Sequence, residues 1–162
     1  MPPSNRLVVA DTGPLIALAC LDLLELPAEL FQQVLLTPTV LQECEAKPDR
    51  GEGVAIRREV DAGQLLLAEP HEALPVLGID PGETSAIALA IEKDAAVLMD
   101  DKAGRSVARH LGLTLVDTAG LLVLAKRRGR LITVRPHLDA LIASGYFLGA
   151  NVVADTLRMA ME

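Results

Sequence analysis

Short apolar runs, typical of buried strands, alternate along this chain with longer segments of helical periodicity. Alternation of this kind favours a parallel sheet covered by helices on both faces. We therefore predict a three-layer α/β/α fold with a central parallel sheet of about four to five strands. The predicted strands are Leu7–Ala10, Val34–Leu36, Leu65–Leu67, Ala96–Met99 and Leu113–Val116.

Helices are predicted between these strands from apolar spacing and from capping residues. The clearest start is at Asp80, which can cap a helix whose first turn contains Pro81 and whose Glu83 completes a capping box. The polar segment Lys47–Gly53 is predicted to be a loop. The predicted helices are Pro14–Leu26, Pro38–Glu43, Val54–Gly63, Pro81–Asp94, Lys102–Leu111, Thr118–Arg127, Val134–Ser144 and Asn151–Met161.

Length and composition limit the number of domains and the kind of core that the chain can form. The chain has 162 residues, which fits one domain, and we expect residues 134–162 to form a C-terminal helical extension of it. Half of the residues are apolar, but there is no Trp, one Tyr and two Phe, so the core should be aliphatic. With so few aromatic side chains, base stacking is not the expected way for this chain to bind nucleic acid.

The sequence does not favour a membrane or secreted protein. The apolar stretch Leu7–Leu26 is interrupted by Asp11, Pro14 and Asp22, whereas a membrane span needs about 20 largely uncharged residues. No signal peptide is recognisable. The two cysteines form neither a C-x-x-C pair nor a zinc-binding spacing. We expect a cytoplasmic location.

Charge is distributed unevenly. The net charge is −7, yet residues 1–101 hold 18 acidic and 6 basic residues, while residues 102–162 hold 4 acidic and 9 basic residues. A basic half beside an acidic half suits a protein that contacts phosphates with one surface and a metal with another. Chance fluctuation along the chain explains the asymmetry equally well.

Carboxylates follow three of the predicted strands. Asp11 follows the first strand, Asp100 and Asp101 follow the Ala96–Met99 strand, and Asp117 follows the last. Because ligands bind beyond the carboxyl ends of parallel strands, we expect these side chains to meet at one sheet edge.

Two further acids, Glu43 and Glu83, lie on predicted helices that can lean over that edge. Crowded carboxylates resist ionisation unless a cation neutralises them. Oxygen ligands without a His or Cys cluster favour Mg²⁺ or Mn²⁺ over zinc. The candidate metal ligands are Asp11, Asp101, Glu83 and Asp100.

Each acid also has a purely structural explanation. Asp80 and Glu83 form a capping box, and the aspartates that follow the strands can cap the next helix. Glu43 can be an ordinary solvated residue. The sequence favours a site only because several acids coincide at one edge.

Four motifs in order resemble those of the PIN-domain nucleases, and most of all a VapC-like branch often catalogued as a domain of unknown function. They are Val8–Ile16, Glu43 after Val40, Gly82-Glu83 before Ala86–Ala90, and Leu98–Asp101. The likeness continues through Lys102, Arg105 and Ala108, then Gly120–Leu122 and Ala125–Gly129, and covers nearly the whole chain.

The resemblance implies an endoribonuclease of the PIN fold that uses Mg²⁺ or Mn²⁺. It places the catalytic acids of the family at Asp11, Glu43, Glu83 and Asp101, with Asp100 assisting. Thr12 is similar to the small hydroxyl residue that supports the metal ligands in such proteins, and Asp117 is a further candidate for such support. Two departures stand out, because Met99 occupies a position where relatives often have Thr or Ser, and Glu83 stands where Asp is commoner.

Cations should position the RNA phosphates. Arg105 lies one turn after Asp101, and Lys126, Arg127 and Arg128 form a dense basic run. The functional prediction is that these cations bind the phosphates of the RNA backbone. The alternative is that they are ordinary solvated surface residues.

The resemblance also implies partners. Such proteins are often toxins paired with a small antitoxin protein, and often homodimers. The C-terminal segment contains apolar residues that can form such an interface or close the domain's own core. They are Leu138, Leu141, Ile142, Tyr146, Phe147 and Leu148.

Two other functions fit part of the pattern. A phosphatase of the haloacid-dehalogenase type also begins with a strand that ends in Asp, but it needs a second Asp two residues later, where Gly13 stands. A non-catalytic regulatory module that kept the fold is the other alternative.

Overall fold

The fold is a five-stranded parallel sheet flanked by helices, as expected from the alternation of strand and helix patterns. The structure is a computed structural model and describes residues 6–46, 51–75 and 77–162. The strands are β1 (Leu7–Ala10), β2 (Gln33–Leu36), β3 (Leu66–Leu67), β4 (Ala96–Leu98) and β5 (Leu115–Val116). All of their pairings are parallel, which confirms the predicted α/β/α fold.

The helices lie between and after the strands, in the order that the sequence predicts. Among the described residues they are α1 (Thr12–Cys20), α2 (Leu26–Leu30), α3 (Pro38–Glu45), α4 (Glu52–Asp61), α5 (Pro81–Lys93), α6 (Lys102–His110), α7 (Thr118–Arg127), α8 (Arg135–Ala143) and α9 (Ala150–Met159). Within the described ranges, no helix has the length and apolarity needed to cross a bilayer.

The strand order β3-β2-β1-β4-β5 determines where a ligand can bind. The chain moves outward from β1 through β2 to β3, then returns to place β4 on the other side of β1. Strand order therefore reverses between β1 and β4, and open α/β sheets bind ligands beyond the carboxyl ends of the strands at such a point. Asp11 follows β1 and Asp100 lies two residues after the end of β4.

Two element predictions were wrong. The predicted helix Pro14–Leu26 is two helices, because α1 ends at Cys20 and α2 begins at Leu26. Asp22 lies between them with φ of 56°, a left-handed conformation that does not continue a right-handed helix. The predicted loop Lys47–Gly53 extends too far toward the C-terminus, because α4 begins at Glu52. Its residues 47–50 lie outside the described residues.

Among the described residues, a cluster of mainly aliphatic side chains forms the core. β1 lies at its centre, with Val8, Val9 and Ala10 fully buried, as expected for a strand covered on both faces. Leu138 of α8 and Leu157 of α9 belong to the same cluster. The C-terminal helices therefore pack on the sheet domain, and the rigid centre holds the carboxyl ends of β1 and β4 in place.

Candidate active site

Asp11 is the most buried of the predicted ligands. It follows β1 directly, its backbone N–H donates to the Leu98 carbonyl (2.9 Å), and it is only 5% exposed. Its side chain makes no capping hydrogen bond to α1, so the capping alternative does not hold. Its Oδ1 is buried without a hydrogen-bond partner among the described residues.

The surroundings of Asp11 disfavour its charge. Burial, together with the nearby charges of Glu83, Asp80 and Glu43, raises the pKa of Asp11 to about 7, although a hydrogen bond from the Thr12 backbone opposes the rise. A buried polar atom without a partner costs free energy. Asp11 is therefore a destabilised carboxylate at the edge of the sheet where the strand order reverses.

Glu43 is held by donors from two other elements. Its Oε2 accepts a hydrogen bond from the Thr12 hydroxyl (2.7 Å), and its Oε1 accepts one from the Gly82 backbone N–H (3.0 Å). The partly buried carboxylate thus joins α3 to the N-termini of α1 and α5, and it is not a freely solvated side chain.

Glu83 and Asp80 form the predicted capping box. The Glu83 N–H donates to Asp80 Oδ1 (2.8 Å), and the Asp80 N–H donates to Glu83 Oε2 (3.4 Å). Glu83 is also only 7% exposed. Burial raises the pKa of Glu83 to about 7, with further contributions from Asp80, Asp101 and Glu43. Glu83 therefore caps a helix and belongs to the acidic cluster as well.

Asp101 caps α6 by accepting a hydrogen bond from the Gly104 N–H (2.9 Å). It remains exposed, and its charge acts on Glu83. A Cβ on Gly104 would lie 3.2 Å from the Glu83 carboxyl carbon, so glycine allows the start of α6 to approach Glu83. The acidic cluster comprises Asp11, Glu43, Asp80, Glu83 and Asp101.

Asp100, which the sequence predicts as a metal ligand beside Asp101, makes hydrogen bonds to groups outside the acidic cluster. Its Oδ1 accepts from the Thr118 N–H (2.7 Å), and its Oδ2 accepts from the Thr118 hydroxyl (2.6 Å) and from the Tyr146 hydroxyl. Burial raises its pKa, and these donors oppose the rise. With both oxygens occupied, Asp100 ties β4 to α7 and to the Tyr146 segment.

Asp117, predicted to support the metal ligands, makes its hydrogen bonds to α7 and to Arg105. Its Oδ1 caps α7 through the Gly120 N–H (2.7 Å), and its Oδ2 accepts from Arg105 Nη1 (3.2 Å). Asp117 therefore orients a cation, and its hydrogen bonds lead away from the acidic cluster.

A groove of about 680 Å³ opens beside Asp101 and contains the side chains of both Asp117 and Arg105. One wall is a basic face of α6, formed by Lys102, Arg105 and Arg109. These residues recur at three- and four-residue intervals, which places them on one side of the helix. Arg105 is held by Asp117, whereas Lys102 and Arg109 are exposed. Lys102 and Arg109 were not predicted as site residues, although their spacing with Arg105 is visible in the sequence.

The groove is also lined by residues 146–149 and by Val152. Neither Tyr146 nor Phe147 was predicted as a site residue. Their proximity to Asp100 depends on how the segment before α9 returns to the sheet edge, which no local sequence pattern shows.

The basic run at the end of α7 lies far from the acids. Lys126 follows Asp117 by nine positions, about 13 Å along a helix. Its Nζ donates to the Ala160 carbonyl (2.7 Å) and to Glu162 Oε1 (2.8 Å). Arg127 donates to the Met159 carbonyl (3.1 Å), and Arg128 is exposed at the end of α7. Lys126 and Arg127 therefore hold the C-terminal end of α9, and phosphate binding by this basic run stays a prediction.

The acids do not form a finished ligand set. Across the described residues, no three Asp, Glu, His or Cys side chains stand close enough to hold a metal ion. Their oxygens instead accept hydrogen bonds from nearby backbone groups. Asp101 accepts one from the Gly104 N–H, and Glu43 accepts one from the Gly82 N–H. The donor set still fits a hard divalent ion, because it consists of oxygens and includes the unpartnered Oδ1 of Asp11.

A second cavity, of about 430 Å³, lies beside the N-termini of α3 and α5. Its wall includes Leu74, Leu77 and Ile79 and none of the acids of the cluster. We therefore assign the candidate chemistry to the acidic cluster and to the groove that Asp101 shares with it.

Comparisons with other proteins agree with this architecture. The sequence model of a family described as DUF3368, PIN domain, matches residues 7–162. The structure is similar to that of a PilT N-terminus domain protein from the hyperthermophilic archaeon Sulfolobus solfataricus, with a TM-score of 0.57 and 16% identity, over 74% of this chain and 92% of that chain. At that identity the likeness shows the fold alone. A search among curated proteins found no match.

Proposed function

This chain belongs to the PIN-domain family, whose members are generally nucleases that use divalent metal ions, and from that premise we propose that it is a Mg²⁺- or Mn²⁺-dependent endoribonuclease. The observation that carries the proposal is the environment of Asp11. Its carboxylate is buried with one oxygen unpartnered, and burial together with the charges of nearby acids raises its pKa to about 7. A divalent cation would relieve this repulsion and supply the missing partner.

Asp11 and Asp101 would hold the ion, with Glu43 and Glu83 binding directly or through water. When bound, such an ion activates water and offsets the negative charge that develops on a phosphodiester during hydrolysis. Thr12 and the Gly82 N–H fix the orientation of Glu43. Groups that orient ligands in this way typically contribute 10- to 100-fold to metal affinity or activity.

The basic wall of the groove would position the substrate. Asp117 holds the Arg105 guanidinium over the groove, and Lys102 and Arg109 extend the same face of α6 toward solvent. Cations on one face contact the phosphates of a strand without reading its sequence. The scissile phosphate would then lie next to Asp101, which belongs to both the groove and the cluster.

The test is cleavage of a mixed-sequence RNA with Mn²⁺ by the wild type, by Asp101→Asn and by Asp139→Asn. Asp139 is an exposed residue of α8 and serves as the control. We expect the wild type and the control to cleave equally, and Asp101→Asn to lose on the order of 100-fold in rate. Full activity in Asp101→Asn would remove Asp101 from the ligand set, and a wild type inert with both Mg²⁺ and Mn²⁺ would refute the function.

A non-catalytic module is the second candidate. It is favoured by the finding that the acids, as they stand in the described residues, form no complete ligand set. Calorimetric titration with Mn²⁺ separates the two, because a module that has lost its chemistry should give no heat that depends on Asp11.

We extend the proposal to the biological role that the resemblance implies, a cytoplasmic toxin of the VapC type held by a small antitoxin protein and assembled as a homodimer. Leu138 and Leu141 of the predicted interface are buried in the domain's own core. By contrast, Ile142 is 47% exposed and Met159 is 51% exposed. These exposed apolar side chains on α8 and α9 support a protein contact there. Sedimentation of the pure chain tests the dimer, and co-purification with the product of the adjacent gene tests the antitoxin.

A further inference from the structure

The aromatic residues of this chain are distributed unequally between core and groove. Of only three, Phe31 is buried in the core at 4% exposure, whereas Phe147 is 90% exposed. The third, Tyr146, lies next to Phe147 and donates a hydrogen bond to Asp100. Exposing a Phe ring costs the free energy that its burial would give, roughly 1.5–3 kcal/mol. The ring stands in the wall of the groove beside the acidic cluster.

The segment around Phe147 is anchored on both sides of the ring. Before it, the Tyr146 N–H donates to the Leu141 carbonyl (3.0 Å) and its hydroxyl reaches Asp100. After it, Leu148 packs against the hydrophobic core. Tyr146 and Leu148 therefore point inward, and Phe147 between them points outward. The backbone that carries the exposed ring is thus anchored at the groove on both sides.

The groove that contains Phe147 also contains the basic face of α6. Lys102, Arg105 and Arg109 line the same groove as Phe147, and the groove reaches the acidic cluster through Asp101. A basic track beside a flat aromatic ring is the combination by which proteins hold single-stranded nucleic acid, because phosphates meet the cations and an unpaired base stacks on the ring. A base inside a duplex is stacked on its neighbours on both faces, so it has no free face that could stack on the ring.

We propose that this groove binds single-stranded RNA, with one unpaired base stacked on Phe147 and the neighbouring phosphates on Lys102 and Arg109. This inference rests on the proposed function for the identity of the substrate. It also reverses the expectation that so few aromatic residues leave no place for stacking, because one well-placed ring is enough. A protein partner seated on Phe147 is the competing occupant, and the cations and Asp101 in the same groove favour RNA over it.

The experiment compares Phe147→Leu, Phe147→Trp and the control Ile132→Ala. Leucine keeps an apolar side chain but has no aromatic face, tryptophan keeps the face, and Ile132 is 92% exposed outside the residues that line the groove. Every variant is made in an Asp11→Asn chain so that the RNA stays intact. The probe is a short single-stranded RNA with one 2-aminopurine base, whose fluorescence falls when it stacks, together with its complementary duplex.

We expect Phe147→Leu to weaken binding of the single strand by about 5- to 150-fold and to abolish the fluorescence change. Phe147→Trp and Ile132→Ala should bind as the parent chain does, and the duplex should bind weakly and equally to all variants. In chains that retain Asp11, Phe147→Leu should raise KM for the single strand and change kcat little.

Equal affinity of Phe147→Leu and its parent for the single strand would overturn the inference, and so would tight binding of the duplex with the same dependence on Phe147. A change in sedimentation of Phe147→Leu without a change in RNA affinity would also overturn it, because the ring would then serve a protein contact. If the wild type fails to cleave RNA but binds the single strand through Phe147, the inference stands and the proposed nuclease function fails.

Discussion

The carboxylate of Glu43 lies directly against Gly82, at the N-terminus of α5. Oε1 accepts the Gly82 N–H at 3.0 Å, and a Cβ added to Gly82 would stand 2.3 Å from Oε2. The first turn of a helix carries free N–H groups and partial positive charge, so it favours a carboxylate. The absence of a side chain at Gly82 is what lets Glu43 reach this position.

Gly82→Ala should therefore impair activity without unfolding the protein. The new methyl group would displace the flexible end of Glu43, while alanine itself is favoured over glycine in a helix by about 1 kcal/mol. We expect cleavage to fall on the order of 10- to 100-fold, with a free energy of unfolding in urea equal to or above that of the wild type. Asp139→Ala is the control, because Asp139 is an exposed residue of α8 outside the residues that line the groove. A Gly82→Ala chain with wild-type activity would contradict the placement of Glu43 in the site.

The basic face of α6 and the basic end of α7 should behave differently toward RNA. Arg109→Ala should weaken RNA binding and reduce the slope of log affinity against log salt by about 0.7, the value for one lost phosphate contact on a single strand. Lys126→Ala should leave that slope unchanged and lower the free energy of unfolding by about 1 kcal/mol, because Lys126 holds the Ala160 carbonyl and Glu162. The reverse pattern would restore the basic run at Lys126–Arg128 as the phosphate grip.

Glu162 should make the protein sensitive to acid. Its side chain accepts hydrogen bonds from Lys126 and from the N–H groups of Val134 and Arg135, and these partners lower the pKa of Glu162 to about 2. Stabilisation by a group with a lowered pKa is present above its usual value of 4.5 and is lost as the pH falls toward 2.

The free energy of unfolding of Glu162→Gln should accordingly lie below that of the wild type near neutral pH, and the two should converge in acid. Denaturation in urea across this pH range measures the difference. Glu25→Gln is a matched control, since Glu25 is exposed and makes no side-chain capping bond. A difference that stays constant with pH would contradict the assigned role of Glu162.

The sequence predicted the parts of the fold that depend on local pattern. The buried strand Leu7–Ala10 and the capping box at Asp80 and Glu83 appear as expected, because apolar runs and capping residues act over a few positions. The break after Cys20 was not foreseen. It requires a left-handed Asp22, and the leucines on both sides continue the helical spacing without interruption.

The sequence predicted which acids belong to the candidate site, but it did not predict which groups their side chains contact. Each aspartate that follows a strand could be placed at the sheet edge from topology alone, but the direction of each side chain could not. Asp100 and Asp101 are adjacent, yet one turns to Thr118 and Tyr146 and the other caps α6 near Glu83. The contact with Tyr146 spans 46 positions, and separations of that size leave no periodic signal.

The proposed metal site depends most on the electrostatic cost of ionising Asp11. Its raised pKa means that the folded chain binds a proton there more tightly than the unfolded chain does, so ionisation of Asp11 destabilises the fold. This cost is absent below the ordinary pKa of 3.8 and is complete above about 7. A neutral amide at this position removes the cost, and a divalent ion would offset it in the wild type.

The most direct measurement is the free energy of unfolding in urea near pH 8, for the wild type and Asp11→Asn, with and without Mn²⁺. Without the ion, Asp11→Asn should be more stable by roughly 1–3 kcal/mol. With Mn²⁺ at about 100 times its dissociation constant, the wild type should gain about 2.7 kcal/mol and the variant little. A wild type that Mn²⁺ does not stabilise, or an Asp11→Asn chain that is less stable without the ion, would contradict the account.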